Sequence, residues 1–269
     1  MSRSPAAPLK RQLRKHVGLW RMLELRNRVV FSQSARYWKR FEDAELARLA
    51  AGRPFPRARV VTVVPTYRRH EGLQHALASA LAQTVEDHLI IVVDDGGGLP
   101  ELSDDPRLVA VSLSRNTAVL GLVRNVGIRL SHSSYIAFLD DDNSWAPDHL
   151  ELALTALDAG KDLVYTAVER RRADGSVLDV LSTPFDRKRL ADESYVDANS
   201  VVVRRAPDVL FSRIPRVRST LPKEDWEFVH RLSRRRNVLH LPQTTVRYLV
   251  NPGSHYTTWA DPNYPDTPI

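Results

Sequence analysis

Three polar runs, each set directly behind an apolar run, hold the residues best suited to chemistry. Val60-Val61-Thr62-Val63-Val64 leads into Pro65-Thr66-Tyr67-Arg68, Leu89-Ile90-Ile91-Val92-Val93 into Asp94-Asp95-Gly96-Gly97-Gly98, and Tyr135-Ile136-Ala137-Phe138-Leu139 into Asp140-Asp141-Asp142-Asn143. Carboxylates gathered at one edge repel each other unless a cation or donor group joins them. A hard divalent cation, Mg2+ or Mn2+, bound through one or two carboxylates plus phosphate oxygens, is the common solution. If strand geometry persists past Leu139, Asp140 and Asp142 point to the same side and form the better ligand pair. A single Asp in a loop is more often a turn or helix cap. Three in succession behind a buried run are harder to place that way. Glu224 and Asp225 open a predicted helix behind Pro222, a position where acids are also favoured by the helix dipole.

These residues need a scaffold that brings strand ends together. From Val60 onward, short continuous apolar runs alternate with helical stretches at 71–82, 118–130 and 147–157. That alternation predicts an α/β fold with a mostly parallel sheet covered on both faces. In such sheets ligands collect at the carboxyl ends of the strands, which is where the polar runs lie. Beyond Lys161 the pattern loosens. Residues 162–168 and 177–181 flank an Asp174-Gly175 turn and predict a hairpin. A strand over 196–203, a helix over 223–234 and late strands over 238–241 and 245–250 follow.

Charge divides the chain unevenly. Residues 1–59 hold 15 Lys+Arg against 4 Asp+Glu, while the other 210 residues hold 24 against 28. The chain is therefore read as a basic, amphipathic helical arm over 1–59 and a slightly acidic α/β domain over 60–269. In the arm, Leu9, Leu13, Val17, Trp20 and Leu23 recur at helical spacing, and a second amphipathic stretch covers 35–49. Such an arm either packs on the main domain or lies on an anionic membrane surface. The absence of cysteine excludes disulfides, thiolate nucleophiles and Cys-ligated zinc. No apolar run approaches the ~18 residues of a membrane span, and no apolar signal-peptide core follows the basic start. A cytoplasmic location is expected, with peripheral contact at the inner membrane face open to the arm.

The order of motifs carries a resemblance. Val63-Val64-Pro65-Thr66-Tyr67, Val92-Val93-Asp94-Asp95-Gly96, Arg124-Asn125-Val126-Gly127-Ile128, Phe138-Leu139-Asp140-Asp141-Asp142 and Glu224-Asp225-Trp226 follow one another. Together they resemble the inverting family 2 glycosyltransferases of GT-A fold, over roughly residues 60–250. The resemblance implies transfer of one sugar from a nucleoside-diphosphate sugar, UDP- or dTDP-linked, to an acceptor hydroxyl. It places Pro65, Thr66 and Tyr67 around the base and ribose, and Asp94 or Asp95 as a hydrogen-bond acceptor for the base. Arg124 becomes a phosphate or base contact. Asp140, Asp141 and Asp142 match the metal-binding Asp-X-Asp, and Asp225 matches the general base, with Glu224 as its fallback. His255, behind the last strand, is a candidate for the metal shell or the diphosphate. Gly96-Gly97-Gly98 replaces the family's more usual Gly-Ser, and the Gln-X-X-Arg-Trp signature of processive synthases is absent.

Two rivals share some of these features. A sugar-1-phosphate nucleotidyltransferase uses the same metal-and-nucleotide logic but wants a Gly-rich, basic loop where Pro65-Thr66-Tyr67 stands. A nucleic-acid-binding protein acting through the basic arm would lose affinity steeply with salt; no nucleic-acid partner is expected. A dinucleotide oxidoreductase is disfavoured, since no Gly-X-Gly-X-X-Gly follows the first strand. The acceptor class, whether a sugar, a lipid-linked sugar or a natural product, is open at this level.

Overall fold

The runs at 60–66 and 88–94 are apolar without alternation because both faces of their strands are covered. Every residue of β1 (Val60–Thr66) and β2 (His88–Asp94) is buried, as expected for a doubly covered parallel sheet. The computed structural model describes residues 19–51, 54–216 and 220–250. Its sheet runs β3-β2-β1-β4-β8-β6-β9-β5, with β7 beside β6. Here β3 is Leu108–Ser112, β4 Tyr135–Phe138, β5 Ser144–Trp145, β6 Leu163–Arg172, β7 Val177–Leu181, β8 Val201–Arg204 and β9 Val238–Val250. Strands β3, β2, β1 and β4 are parallel, and β8 joins β4 antiparallel.

Alternate residues of each strand face opposite layers. Val61 and Val63 pack toward α4 (Leu120–Leu130) and α7 (Glu224–Ser233), while Val60 and Val64 pack toward α3 (His70–Leu81) and α5 (His149–Asp158). Two close approaches fix the helices against the strands. A Cβ on Gly127 would stand 2.5 Å from Val63 Cγ1, and one on Gly72 would stand 2.5 Å from the Asp141 carbonyl oxygen.

The helices before the sheet, α1 (Leu19–Val30) and α2 (Ser32–Ala50), pack directly on this core. Trp20 is buried among core residues, with Trp38, Phe41, Leu46 and Leu49 partly buried against them. Glu42 on α2 is fully buried and accepts from Arg129, Arg213 and Asn125. Glu45 accepts from Arg48 and from Ser114. The part of the first expected helix at 9–18 lies outside the described residues. No helix among the described residues is long and apolar enough to cross a membrane.

Three details depart from the sequence expectation. Strand β4 stops at Phe138, so Asp140 to Asp142 sit in a turn closed by Asn143 N–H on the Asp140 carbonyl at 3.2 Å. The stretch at 196–203 begins as a 3-10 turn over Ala198–Ser200, capped by Asp197, before β8 starts. The two late strands are one, β9, whose register with β6 shifts near Ala167. A short helix, α6 (Arg187–Leu190), capped by Asp186, precedes the 3-10 turn.

Candidate active site

The chain runs from β1 through β2 to β3 on one side, then returns to place β4 on the other side of β1. That reversal opens a crevice between the ends of β1 and β4, the place where ligands bind in such sheets. Across it Thr66 Oγ1 donates to Asp141 Oδ2 at 2.7 Å. A cavity of about 790 Å3 begins here, bordered by Pro65, Thr66, Tyr67, Asp95, Asn116 and all three members of the Asp run.

The three consecutive Asp side chains border one cavity but take different partners. Asp140 accepts from Arg124 Nη2 at 2.7 Å and from Asn199 Nδ2 at 3.0 Å, while its own N–H donates to Asn199 Oδ1 at 2.6 Å. Asp141 accepts from Thr66 and from Arg69 Nη1, and Asp142 pairs with Arg69. Burial pushes the Asp141 carboxyl up to about 6 against the hydrogen bond from Thr66. Burial, followed by the charge of Asp140, pushes Asp142 up as well.

Asp225 lies on the far side of Arg124. This guanidinium is fully buried, lies 4.9 Å over the Phe211 ring, and donates from Nη1 to Asp225 Oδ1 at 2.8 Å. One cation thus spans two carboxylates that are far apart in sequence. Burial pushes the Asp225 carboxyl up to about 7; Arg124 opposes this, and the nearby carboxylates of Glu224, Asp197 and Asp140 reinforce it. Asp225 borders a second cavity of about 220 Å3, together with Tyr195, Asp197, Trp226 and Val250. Asp140, Glu224 and Tyr248 border both cavities. Burial first, then the surrounding carboxylates, raise the Tyr248 phenol, which therefore stays protonated and able to donate.

The Asp94-Asp95 pair supports backbone. Asp94 accepts from the N–H groups of Gly97 and Gly98 at 2.9 and 3.0 Å, tightening the glycine loop, and does not border the larger cavity. Asp95 accepts from Thr117 N–H, Thr117 Oγ1 and Ala118 N–H. It thereby holds Ala118 at φ 52°, a left-handed conformation that a non-glycine residue rarely adopts without support. Gly97 is small for a reason: a Cβ there would stand 2.8 Å from the Tyr67 ring.

Most of the expected residues therefore meet in one place. Pro65, Thr66, Tyr67, Asp95 and Asp140 to Asp142 line one cavity, and Asp225 lines the adjoining one. Arg124, expected as a phosphate or base contact, donates from both terminal nitrogens to carboxylates and borders the smaller cavity. Asn125 is structural, donating to the Phe211 carbonyl and accepting from Phe211 N–H. His255 lies outside the described residues. Arg69, Asn199 and Tyr248 were not legible as site residues. Arg69 had a signal in its place just behind Pro65-Thr66-Tyr67, but Asn199 and Tyr248 reach the site only through the sheet order.

The comparisons with known proteins agree with this architecture. The model of the family described as "Glycosyl transferase family 2" matches residues 61–200, just over half of the chain. Succinoglycan biosynthesis protein ExoW of Rhizobium meliloti is 36% identical over 102 residues, which are 35% of this chain and 32% of that protein. Poly(ribitol-phosphate) beta-N-acetylglucosaminyltransferase TarP of Staphylococcus aureus is 30% identical over 93 residues, 32% of this chain and 28% of that protein. The chain thus spans about a third of the length of these relatives. The solved structure of S. aureus TarS 1-349 in complex with UDP-GlcNAc superposes with a TM-score of 0.57 at 18% identity, covering 73% of this chain and 60% of that one. That likeness shows the expected GT-A-type fold. With the family model matched through both strand-end Asp motifs, the chain belongs to glycosyl transferase family 2.

Proposed function

We propose that this chain is an inverting, metal-dependent glycosyltransferase that moves one sugar from a UDP- or dTDP-sugar to an acceptor hydroxyl. The observation that carries the reading is the placement of Asp140 and Asp225 on two adjoining cavities, tied by one buried guanidinium. The larger cavity has the size and the polar edge for a nucleoside diphosphate. Pro65, Thr66 and Tyr67 on its border suit a base and ribose. The smaller cavity suits the acceptor, and Asp225 on its wall is a carboxyl raised toward neutrality, matched to proton abstraction near pH 7. A hydroxyl entering beside Asp225 approaches the anomeric carbon from the side opposite the diphosphate. A single displacement from that side inverts the centre. TarP is named as a beta-N-acetylglucosaminyltransferase and TarS was solved with UDP-GlcNAc, which supports a sugar-nucleotide donor here.

The donor set suits a hard cation. Asp140 and Asp142 offer only oxygens, border the same cavity, and repel each other. Each carboxylate keeps lone pairs beyond those engaged by Arg124, Asn199 and Arg69. Among the described residues no group of three or more His, Cys, Asp or Glu could hold a metal unaided. Diphosphate oxygens and water would complete the shell, as is usual for Mg2+. When bound, the cation would supply Lewis-acid stabilisation of the departing diphosphate. The chain's own part is to fix the two carboxylates through Arg124, Arg69 and Asn199, and to hold a phenol, Tyr248, between the cavities. Titration calorimetry of UDP and dTDP, with and without Mn2+, tests the reading. Metal-linked nucleotide binding is expected, and its absence for both nucleotides would overturn the assignment. A panel of nucleotide sugars scored by donor hydrolysis then identifies the sugar.

A further inference from the structure

Helix α1 is amphipathic in an unusual sense along its C-terminal half. Glu24 and Asn27 face the protein, whereas Leu25, Val29 and Val30 face away. Glu24 is buried against Arg216, and Asn27 donates to the Leu221 carbonyl at 2.7 Å. Trp20, one turn earlier, stacks on His230 of α7 at 4.1 Å. On the opposite side Leu25, Val29 and Val30 are 66%, 70% and 65% exposed. Burying Glu24 and Asn27 while leaving three aliphatic side chains in water is a poor arrangement for an isolated soluble surface.

Arginines edge this aliphatic ridge. Around the helix, Arg21 and Arg28 flank Leu25 on one side and Arg26 lies between Val29 and Val30, all exposed. The lone acid of the helix, Glu24, is buried and pairs with both Arg216 and Arg28, so Arg21 and Arg26 supply the net positive charge of the outer face. Residues 1–18, which precede it, contain five Lys+Arg and no Asp or Glu. We propose that this face docks the protein on an anionic lipid bilayer, with Leu25, Val29 and Val30 inserted below the headgroups and the arginines at headgroup level. Charge decides among occupants. A second copy of the same face would set arginine against arginine, and the chain's own first 18 residues are basic as well. Nucleic acid would satisfy the arginines but leave the aliphatic ridge in water. The ridge also stands close to the site: its inner face grips Arg216, which borders the larger cavity, and Leu221, just ahead of Asp225.

The test uses the full chain and extruded vesicles of phosphatidylcholine, with or without roughly one third phosphatidylglycerol, read by co-sedimentation. Binding to the anionic vesicles and not to the neutral ones is expected. The variant Leu25→Ser/Val29→Ser/Val30→Ser should bind them on the order of a hundredfold more weakly, from the apolar area withdrawn from the interface. Its melting temperature and donor hydrolysis should be unchanged, since all three side chains point outward. Arg21→Gln/Arg26→Gln should weaken binding about tenfold at low salt and little at high salt. The proposal is overturned if the full chain ignores anionic vesicles, or if the triple Ser variant binds them as the parent does. It is equally overturned if that variant instead abolishes self-association or binding to an oligonucleotide while vesicle binding is unaffected.

Discussion

Replacing Asp225 by Asn separates the catalytic cost of this carboxyl from its cost to the fold. The carboxyl is carried from 3.8 to about 7, chiefly by burial. Ionising it in the folded protein therefore costs up to about 4 kcal/mol relative to the unfolded chain. The side chain is 24% exposed and Arg124 pairs with it. Asn keeps an acceptor for that guanidinium but loses the charge. Allowing for both, a net gain of ~2 kcal/mol is expected for the Asn variant at pH 8. The sign follows from proton binding. Between pH 4 and 7 the folded protein holds a proton that the unfolded chain has lost, so stability falls as pH rises through this window. Asn removes that fall. In a chain of this size the variant should melt roughly 4–8 °C above the parent at pH 8, with the gap closing or reversing at pH 5. Transfer should drop about 10²- to 10⁴-fold, the usual worth of a general base, with nucleotide affinity near that of the parent. The assays are differential scanning fluorimetry at the two pH values, donor-to-acceptor transfer by product chromatography, and nucleotide calorimetry. A stability gap independent of pH would refute the ionisation argument. Transfer within about tenfold of the parent would remove Asp225 from the role of base.

Asp142→Ala should weaken Mn2+-dependent nucleotide binding in calorimetry while leaving the smaller binding seen without metal. Gly127→Ala should destabilise the fold by about 1–3 kcal/mol in urea titration, because its Cβ would stand 2.5 Å from Val63 Cγ1; Val63→Ala in the same chain should restore part of the loss. Glu42→Gln should cost about 3–5 kcal/mol, since it strips the charge that faces Arg129 and Arg213 in a fully buried position. Limited proteolysis at the α2 region would report the loosening, and unchanged protection would argue that the helix is held by its aromatic contacts alone.

The parallel half of the sheet was readable because its strands are apolar throughout and end in Pro65-Thr66-Tyr67, Asp94-Asp95 and Asp140-Asp141-Asp142. The strand-end rule places these runs at one edge, and most of them border the larger cavity there. What the sequence did not disclose is which way each carboxylate faces. Asp94 and Asp95 look alike in the chain, yet one closes a glycine turn and the other holds Ala118 in a left-handed conformation. Asp140 and Asp142 would share a side on a strand, but the chain leaves β4 at Phe138, and one pairs with Arg124 while the other pairs with Arg69. The resemblance implied a ligand contact for Arg124; its carboxylate partners lie 16 and 101 residues away, beyond the reach of any local pattern. The same holds for α1. Periodicity shows that a helix has faces, but only Arg216 and the Leu221 carbonyl, contributed by a distant loop, turn Glu24 and Asn27 inward.

The single guanidinium between Asp140 and Asp225 also bears on how such a sequence can change over time. A lysine is a compact point charge on a flexible stem and cannot present two forked donors to carboxylates on opposite sides. Most replacements at 124 therefore disturb both adjoining cavities in one step. Conversely, an uncharged residue at position 140 leaves a fully buried positive charge half-matched. The three positions therefore form one electrostatic unit. Rim residues such as Asn116 and Tyr195 border the cavities without being partners of this guanidinium.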